Sequence, residues 1–225
     1  MIVFDNVTKS YPTGTIALQD ASFTFDDNDF VFFVGPSGAG KTTILKMILR
    51  ATVPTSGSVI VNGEDIAHPS YRAIQRLRQS IGVVFQDFKI LHDKNVYENI
   101  ALALKVTGYP DHMIHSQVHE VVELVGLPHK LEMFPVQLSA GELQRVAIAR
   151  AIVGDRNIIL ADEPTGNLDP KTTWEIMKIF KKLEGEKTII IATHNVDIVN
   201  SFKKRVMTLQ NGKVTSDKRG AKYEL

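Results

Sequence analysis

The sequence contains no cysteine, so disulfides and thiolate-bound metals are excluded. Neither sign of charge is in excess. There are 26 Lys+Arg against 25 Asp+Glu, a formal net charge of +1, and that balance lacks the basic footprint of a nucleic-acid binder. No apolar run approaches the ~18 residues of a membrane-crossing helix. The opening Met1-Ile2-Val3-Phe4-Asp5 lacks the basic-then-apolar layout of a secretory leader. These absences predict an intracellular protein that binds no nucleic acid and meets a membrane only through a partner. A chain of 225 residues is long enough to bury a substantial core, as one large domain or a domain carrying an inserted lobe.

What is present is organised around Gly35-Pro36-Ser37-Gly38-Ala39-Gly40-Lys41-Thr42. This stretch satisfies G-x-x-x-x-G-K-[ST], the phosphate-binding loop pattern. The apolar, β-prone Phe30-Val31-Phe32-Phe33-Val34 precedes it, and Ile44, Leu45, Ile48 and Leu49 follow at helical spacing. Glycines without Cβ let successive backbone N–H groups turn inward around phosphate oxygens, and the helix dipole adds to that field. Lys41 is expected on the β- and γ-phosphates and Thr42 on Mg²⁺, with Thr43 a second hydroxyl near the γ-phosphate.

The remaining chain reads as an α/β fold with a helical insertion. Ile2, Phe4, Ala21, Phe23 and Phe25 alternate with polar residues, as in half-buried antiparallel strands. Between them a turn displays Tyr11. Its ring could stack on a nucleobase or simply pack beside Pro12. Residues 58–61 read as a strand ending in an Asn62-Gly63 turn. Arg72, Arg76 and Arg78 suggest a solvated helix face. Ile81-Gly82-Val83-Val84-Phe85 reads as a buried strand followed by Gln86, where open α/β sheets bind ligands. From residue 95 to 135 helical periodicity takes over. His115 and His119 there stand at i, i+4, but no carboxylate or cysteine pattern completes a metal site, so a solvated surface is the expectation.

Ser139-x-x-Glu142 is a capping box at a helix start, and a helix N-terminus behind Ser and Gly is also an anion site. Ile158-Ile159-Leu160-Ala161-Asp162-Glu163 is a buried strand ending in two acids. Strand alternation would point Asp162 at a metal and Glu163 at the γ-phosphate side. Adjacent buried acids are costly without a cation. Residues 188–193 form another apolar strand, with His194 at its end. Residues 205–214 read as a closing hairpin through Asn211-Gly212, and the tail from Ser216 as frayed.

Residues 35–42, Gln86, residues 138–142, residues 158–163, Asn167-Leu168-Asp169 and His194, taken in order, resemble the ABC-transporter ATPase family across almost the whole chain. The resemblance implies a P-loop NTPase of ABC type. Its α/β core is RecA-like and carries an N-terminal antiparallel β subdomain (1–88 and 156–215), with an inserted α-helical subdomain (89–155), all in one nucleotide-binding domain. It implies ATP hydrolysis with ATP and Mg²⁺, and Tyr11 stacked on adenine. Thr42, Gln86 and Asp162 would serve the metal, and Glu163, His194 and Gln86 the catalysis. It further implies a head-to-tail homodimer on ATP binding, in which Ser139 and Gly141 complete the other subunit's site. Residues 84–91 are most similar to the family's bacterial cell-division branch, whose ATPase works with an integral membrane protein. Residues 163–169 are shared with lipoprotein- and macrolide-export ATPases. Ala140 departs from the family's usual glycine. If the turn there is left-handed, alanine strains it by about 1–2 kcal/mol and slows turnover. Phe88, Ile90 and Leu91 among charged neighbours suggest a groove for a partner's helix.

Overall fold

The computed structural model describes residues 1–220. In chain order the elements are β1 (Ile2–Ser10), β2 (Ile16–Phe25), β3 (Phe30–Val34), α1 (Lys41–Ile48), β4 (Ser56–Val61), β5 (Glu64–Asp65), α2 (Ile74–Gln79), β6 (Ile81–Val84), α3 (Val96–Val106), α4 (Asp111–Val125), α5 (Ala140–Ile152), β7 (Ile158–Asp162), α6 (Pro170–Lys182), β8 (Thr188–Ala192), α7 (Val196–Phe202), β9 (Arg205–Gln210) and β10 (Lys213–Arg219). They build two sheets. A four-stranded antiparallel sheet has the order β2-β1-β4-β5, and a six-stranded sheet the order β10-β9-β3-β8-β7-β6. Strands β9, β3, β8, β7 and β6 run parallel, and β10 closes the edge antiparallel to β9. No described helix is long and apolar enough to cross a membrane.

Strand β3 is buried throughout, and its period-2 alternation serves two cores. Phe30, Phe32 and Val34 join a core shared with α3, α4, α5 and α6. Val31 and Phe33 join another, shared with α1 and the antiparallel sheet. Phe33 meets Phe25 edge-on at 5.5 Å and Phe23 edge-on at 5.9 Å. These rings lock the small sheet onto the large one.

The loop between β6 and α3 is fixed by one side chain. Asn99 is fully buried. It accepts from Leu91 N at 2.9 Å and donates to the carbonyls of Leu91, Lys94 and Asn95 at 3.0 Å each. Helix α3 then starts on a reciprocal box between Asn95 and Glu98. Phe88 and Lys89 both adopt positive φ in this loop. Phe88 packs against the helical core and Ile90 is buried in it, so neither forms a groove. Of the apolar side chains between β6 and α3, those exposed are Phe85 and Leu91.

Three other expectations change. Ser216 is not the start of a frayed tail. Residues 213–219 pair with β9, and only 221–225 lie outside the described residues. Arg205 explains the order, because it donates to Asp217 at 2.8 and 2.7 Å and to the buried Asp29 at 2.8 Å, which also receives Arg219 at 3.0 Å. Arg78 is not merely solvated: it donates to the carbonyls of Leu49 at 3.1 Å and Arg50 at 3.2 Å, capping the end of α1. Ala140 carries no positive φ. It is the first residue of α5, in ordinary helical conformation. Glu163, by contrast, is left-handed, at φ 48.

Two outcomes follow from these contacts. Arg205→Ala should lower unfolding free energy by about 3 kcal/mol in urea titration, because it leaves the buried Asp29 carboxylate with only the exposed Arg219 as a charged partner, beside the Asp26 backbone N–H. Ala140→Gly should lower it by about 0.5 kcal/mol, a helix-propensity cost, and should not raise turnover. A gain in turnover measured on the purified protein would restore the strained-turn reading.

Candidate functional site

The parallel register brings the polar groups to one edge. Phe33 and Asp162 both stand opposite Ala192, and Ala161 opposite Val84. Gly35, His194, Glu163 and Gln86 therefore follow one or two positions past the same level. The last three line one cleft of about 680 Å³ together with Tyr11, Pro36, Ser37, Gly38, Ala39, Gly40, Lys41, Thr42, Thr43 and Asp162. Thr15 and Ala17 also line it. Sequence reading missed both, because neither stands in a motif. The signal available was position, at the start of the strand that follows the Tyr11 turn and just before it.

Glycine is required in the loop by close approach. Gly40 caps α1 at φ 111, and a Cβ there would come within 2.3 Å of the Ala17 carbonyl oxygen. At Gly35, φ 147, a Cβ would meet Leu209 O at 2.1 Å. Lys41 is buried, and its Nζ donates to Gly35 O at 2.7 Å and Pro36 O at 3.2 Å. The ammonium thus sits at the mouth of its own loop, at the positive end of α1, a field suited to phosphate. Tyr11 is half-buried, with its hydroxyl 3.4 Å from Thr43 Oγ1 and Lys9 Nζ 5.1 Å from its ring centroid. The Tyr11 side chain lines the cleft.

The two acids differ. Burial pushes the Asp162 carboxyl up. A hydrogen bond from Thr42 opposes this, the neighbouring Glu163 adds to it, and Lys41 and Lys46 oppose it further. Thr42 and Asp162 therefore already face each other, two oxygen donors of the hard kind that Mg²⁺ prefers. Alternation does not aim Glu163, because β7 ends at Asp162 and the backbone turns left-handed at the next residue. That conformation costs about 1–2 kcal/mol for a non-glycine residue. It is held by Glu163 N donating to Ala192 O at 2.8 Å and by Gly166 N donating to Glu163 O at 3.1 Å. His194 Nδ1 lies 2.8 Å from Glu163 Oε1. Beside an ionised carboxylate, which only accepts, Nδ1 is the donor of this pair. A carboxylate oriented by an imidazole at the phosphate end of the cleft can polarise a water. Gln86 Nε2 donates to Asn167 Oδ1 at 3.4 Å, tying the loop after β6 to the loop after β7.

Ser139 and Gly141 do not line this cleft. Ser139 caps α5: its Oγ accepts from Glu142 N at 3.3 Å, while Glu142 Oε2 accepts from Ser139 N at 2.9 Å. The start of α5 is exposed at Ser139 and Ala140, and Gly141 packs so close to α6 that a Cβ would meet Thr172 Cγ2 at 2.4 Å. The ring centroids of His115 and His119 are 4.2 Å apart, yet among the described residues no group of three or more His, Asp or Glu side chains could hold a metal ion.

Comparison with known proteins agrees with this geometry. Residues 18–166 match the ABC transporter family. The cell division ATP-binding protein FtsE of Bacillus subtilis is 47% identical over 224 residues, covering 99% of this chain and 98% of that protein. FtsE of Mycobacterium tuberculosis is 44% identical, again over 99% of this chain and 98% of its own length. A dimeric bacterial ABC transporter cassette superposes with a TM-score of 0.88 at 33% identity, covering 99% and 100% of the two chains. The same cassette has been solved in a post-hydrolysis state bound to ADP and phosphate, with 32% identity over the same shares and again a TM-score of 0.88. A phosphate-binding loop, paired acids and a histidine on one sheet edge, in a chain so similar to these proteins along its whole length, place it in the ABC transporter family as an ATP-hydrolysing cassette.

Proposed function

We propose that this chain is the ATPase subunit of an FtsEX-like membrane complex of bacterial cell division. In that reading it couples ATP-driven dimerisation to the regulation of peptidoglycan hydrolases through an FtsX-like integral membrane protein. It would sit peripherally on the cytoplasmic face of the membrane. The observation that carries the catalytic half is the single cleft that gathers residues 36–43, Gln86, Asp162, Glu163 and His194. The cell-division half is supported by the FtsE relatives.

ATP enters with adenine on Tyr11 and its phosphates along residues 35–43. Lys41 turns from its own loop carbonyls to the β- and γ-phosphates. Thr42, Gln86 and Asp162 would hold Mg²⁺, which would supply positive charge to offset that of the phosphates and the Asp162–Glu163 repulsion. Glu163 polarises the attacking water, and His194 bridges it to the γ-phosphate. Ser139 and Gly141 lie outside this chain's own cleft at an exposed helix start, which is where donors to a second subunit's ATP must be. Catalysis is chiefly positioning and charge stabilisation. Hydrolysis removes the γ-phosphate that joins the subunits, and the dimer opens. The helical subdomain of residues 89–155 carries Leu91, which with Phe85 replaces Phe88 and Ile90 as the exposed apolar contact for the membrane subunit near Gln86. The export reading shares this chemistry, and a neighbouring gene encoding a long permease would favour it.

Glu163→Gln keeps the binding groups and loses the water-polarising carboxylate. Turnover should fall about 10²–10⁴-fold, and size-exclusion with ATP and Mg²⁺ should show a dimer. A monomer carrying bound ATP would sink the two-subunit site. A second test uses the raised Asp162 carboxyl. Below its elevated pKa the group is neutral and Mg²⁺ must displace a proton, whereas above it the carboxylate is free. Mg²⁺ affinity in calorimetry should therefore rise with pH through that range, more steeply than in Asp162→Asn. Identical pH dependence in both proteins would remove Asp162 from the metal site.

A further inference from the structure

Two side-chain amides in this chain are completely buried, and they are bonded very differently. Asn99 uses its donor and its acceptor. Gln144, on α5, donates from Nε2 to the Pro164 carbonyl at 2.6 Å, while its Oε1 has no hydrogen-bond partner among the described residues. A buried amide half of whose bonding capacity is unmet weakens a core, and an apolar side chain of the same size would avoid that cost. Stability therefore does not account for Gln144. Its one bond ends on the residue that follows Glu163, inside the left-handed turn that aims that carboxylate.

We infer that Gln144 is a positioning residue: it ties the helix that begins at Ser139 to the turn that presents Glu163. Helix α5 is braced as a rigid unit. Arg145 donates to Val125 O at 2.8 Å and to Glu175 of α6 at 2.6 Å, and Ser139 and Glu142 close its start. The turn, by contrast, is strained at Glu163 and hangs on a few backbone bonds and on His194. A shift of α5 along its axis therefore moves Pro164 and with it the Glu163 carboxylate. Under the proposed two-subunit reading, on which this last step rests, the start of α5 touches the partner's ATP. Gln144 then reports that contact to the chain's own Glu163, so that filling one site sets the base at the other.

The test compares wild type with Gln144→Met, which keeps the volume and loses the donor, and with Gln144→Asn, which keeps the amide and loses the reach. Both variants should lower kcat at least tenfold while KM for ATP stays within twofold, and the Hill coefficient for ATP should fall toward one. In a Glu163→Gln background, ATP-driven dimerisation should survive the Gln144→Met change. A folded variant with wild-type kcat overturns the inference. So does a kcat loss matched by an equal rise in KM, and so does failure of both variants to fold by circular dichroism, since Gln144 would then be a core residue only. If Glu163→Gln alone stays monomeric with ATP, the two-subunit reading fails, while the kcat comparison still decides whether Gln144 positions Glu163.

Discussion

Four parallel strands in one hydrogen-bonded register are the constraint on which the rest depends. Parallel strands buried on both faces must be apolar along their length, so polar groups can appear only where the strands end. In β3, β8, β7 and β6 those ends fall at the same level, because Phe33 and Asp162 both pair with Ala192 and Ala161 pairs with Val84. The loop, the acids, the histidine and the glutamine meet because the ladder leaves them nowhere else to go. The Phe33–Phe25 and Phe33–Phe23 contacts carry the same logic outward. They fix the small sheet on the large one, and so fix Tyr11 at the cleft's rim.

Charge inside the cleft is unbalanced by design of the backbone. Asp162 and Glu163 are adjacent, and burial raises the first. The compensating positive field comes from Lys41, Lys46 and the start of α1, which follows β3, two strands away across β8. Opposite charges are thus delivered to one cleft by different strands. A left-handed Glu163 keeps its carboxylate with His194 instead of letting it continue the strand.

Much of this was legible in the sequence because it depends on local chemistry. The G-x-x-x-x-G-K-T pattern names its own backbone conformation, since only glycine fits beside Ala17 O and Leu209 O. The strand ends at Gln86, Glu163 and His194 followed from apolar runs of strand length. What failed required tertiary knowledge. Nothing local distinguishes an alanine in a left-handed turn from one opening a helix, so Ala140 was misread. The strand at residues 213–219 looks polar because one face is solvated, and it is held by Arg205 reaching two acids far apart in sequence. Phe88 and Ile90 look surface-bound beside charged neighbours, yet the loop curls on Asn99 and turns them inward. Gln144 carried a signal that went unused: a polar side chain on the buried face of an otherwise apolar helix.

The capping box at Ser139 constrains how a second subunit could use this helix. In the single chain the anion site at the start of α5 is already filled. The Glu142 carboxylate accepts from Ser139 N and Oγ and pairs with Lys130 at 3.2 Å. The bond from the Ser139 backbone holds that carboxyl below its usual range, with the Lys130 contact acting in the same direction. A phosphate arriving from a partner must share the helix dipole with an existing negative charge. Lys130 then becomes part of the arrangement, because it neutralises Glu142 and leaves the N-terminal field available. On the proposed reading, the helix start is therefore screened when alone and attractive to phosphate only at contact range. That suits a dimer which must form when ATP is bound and come apart once the γ-phosphate is gone.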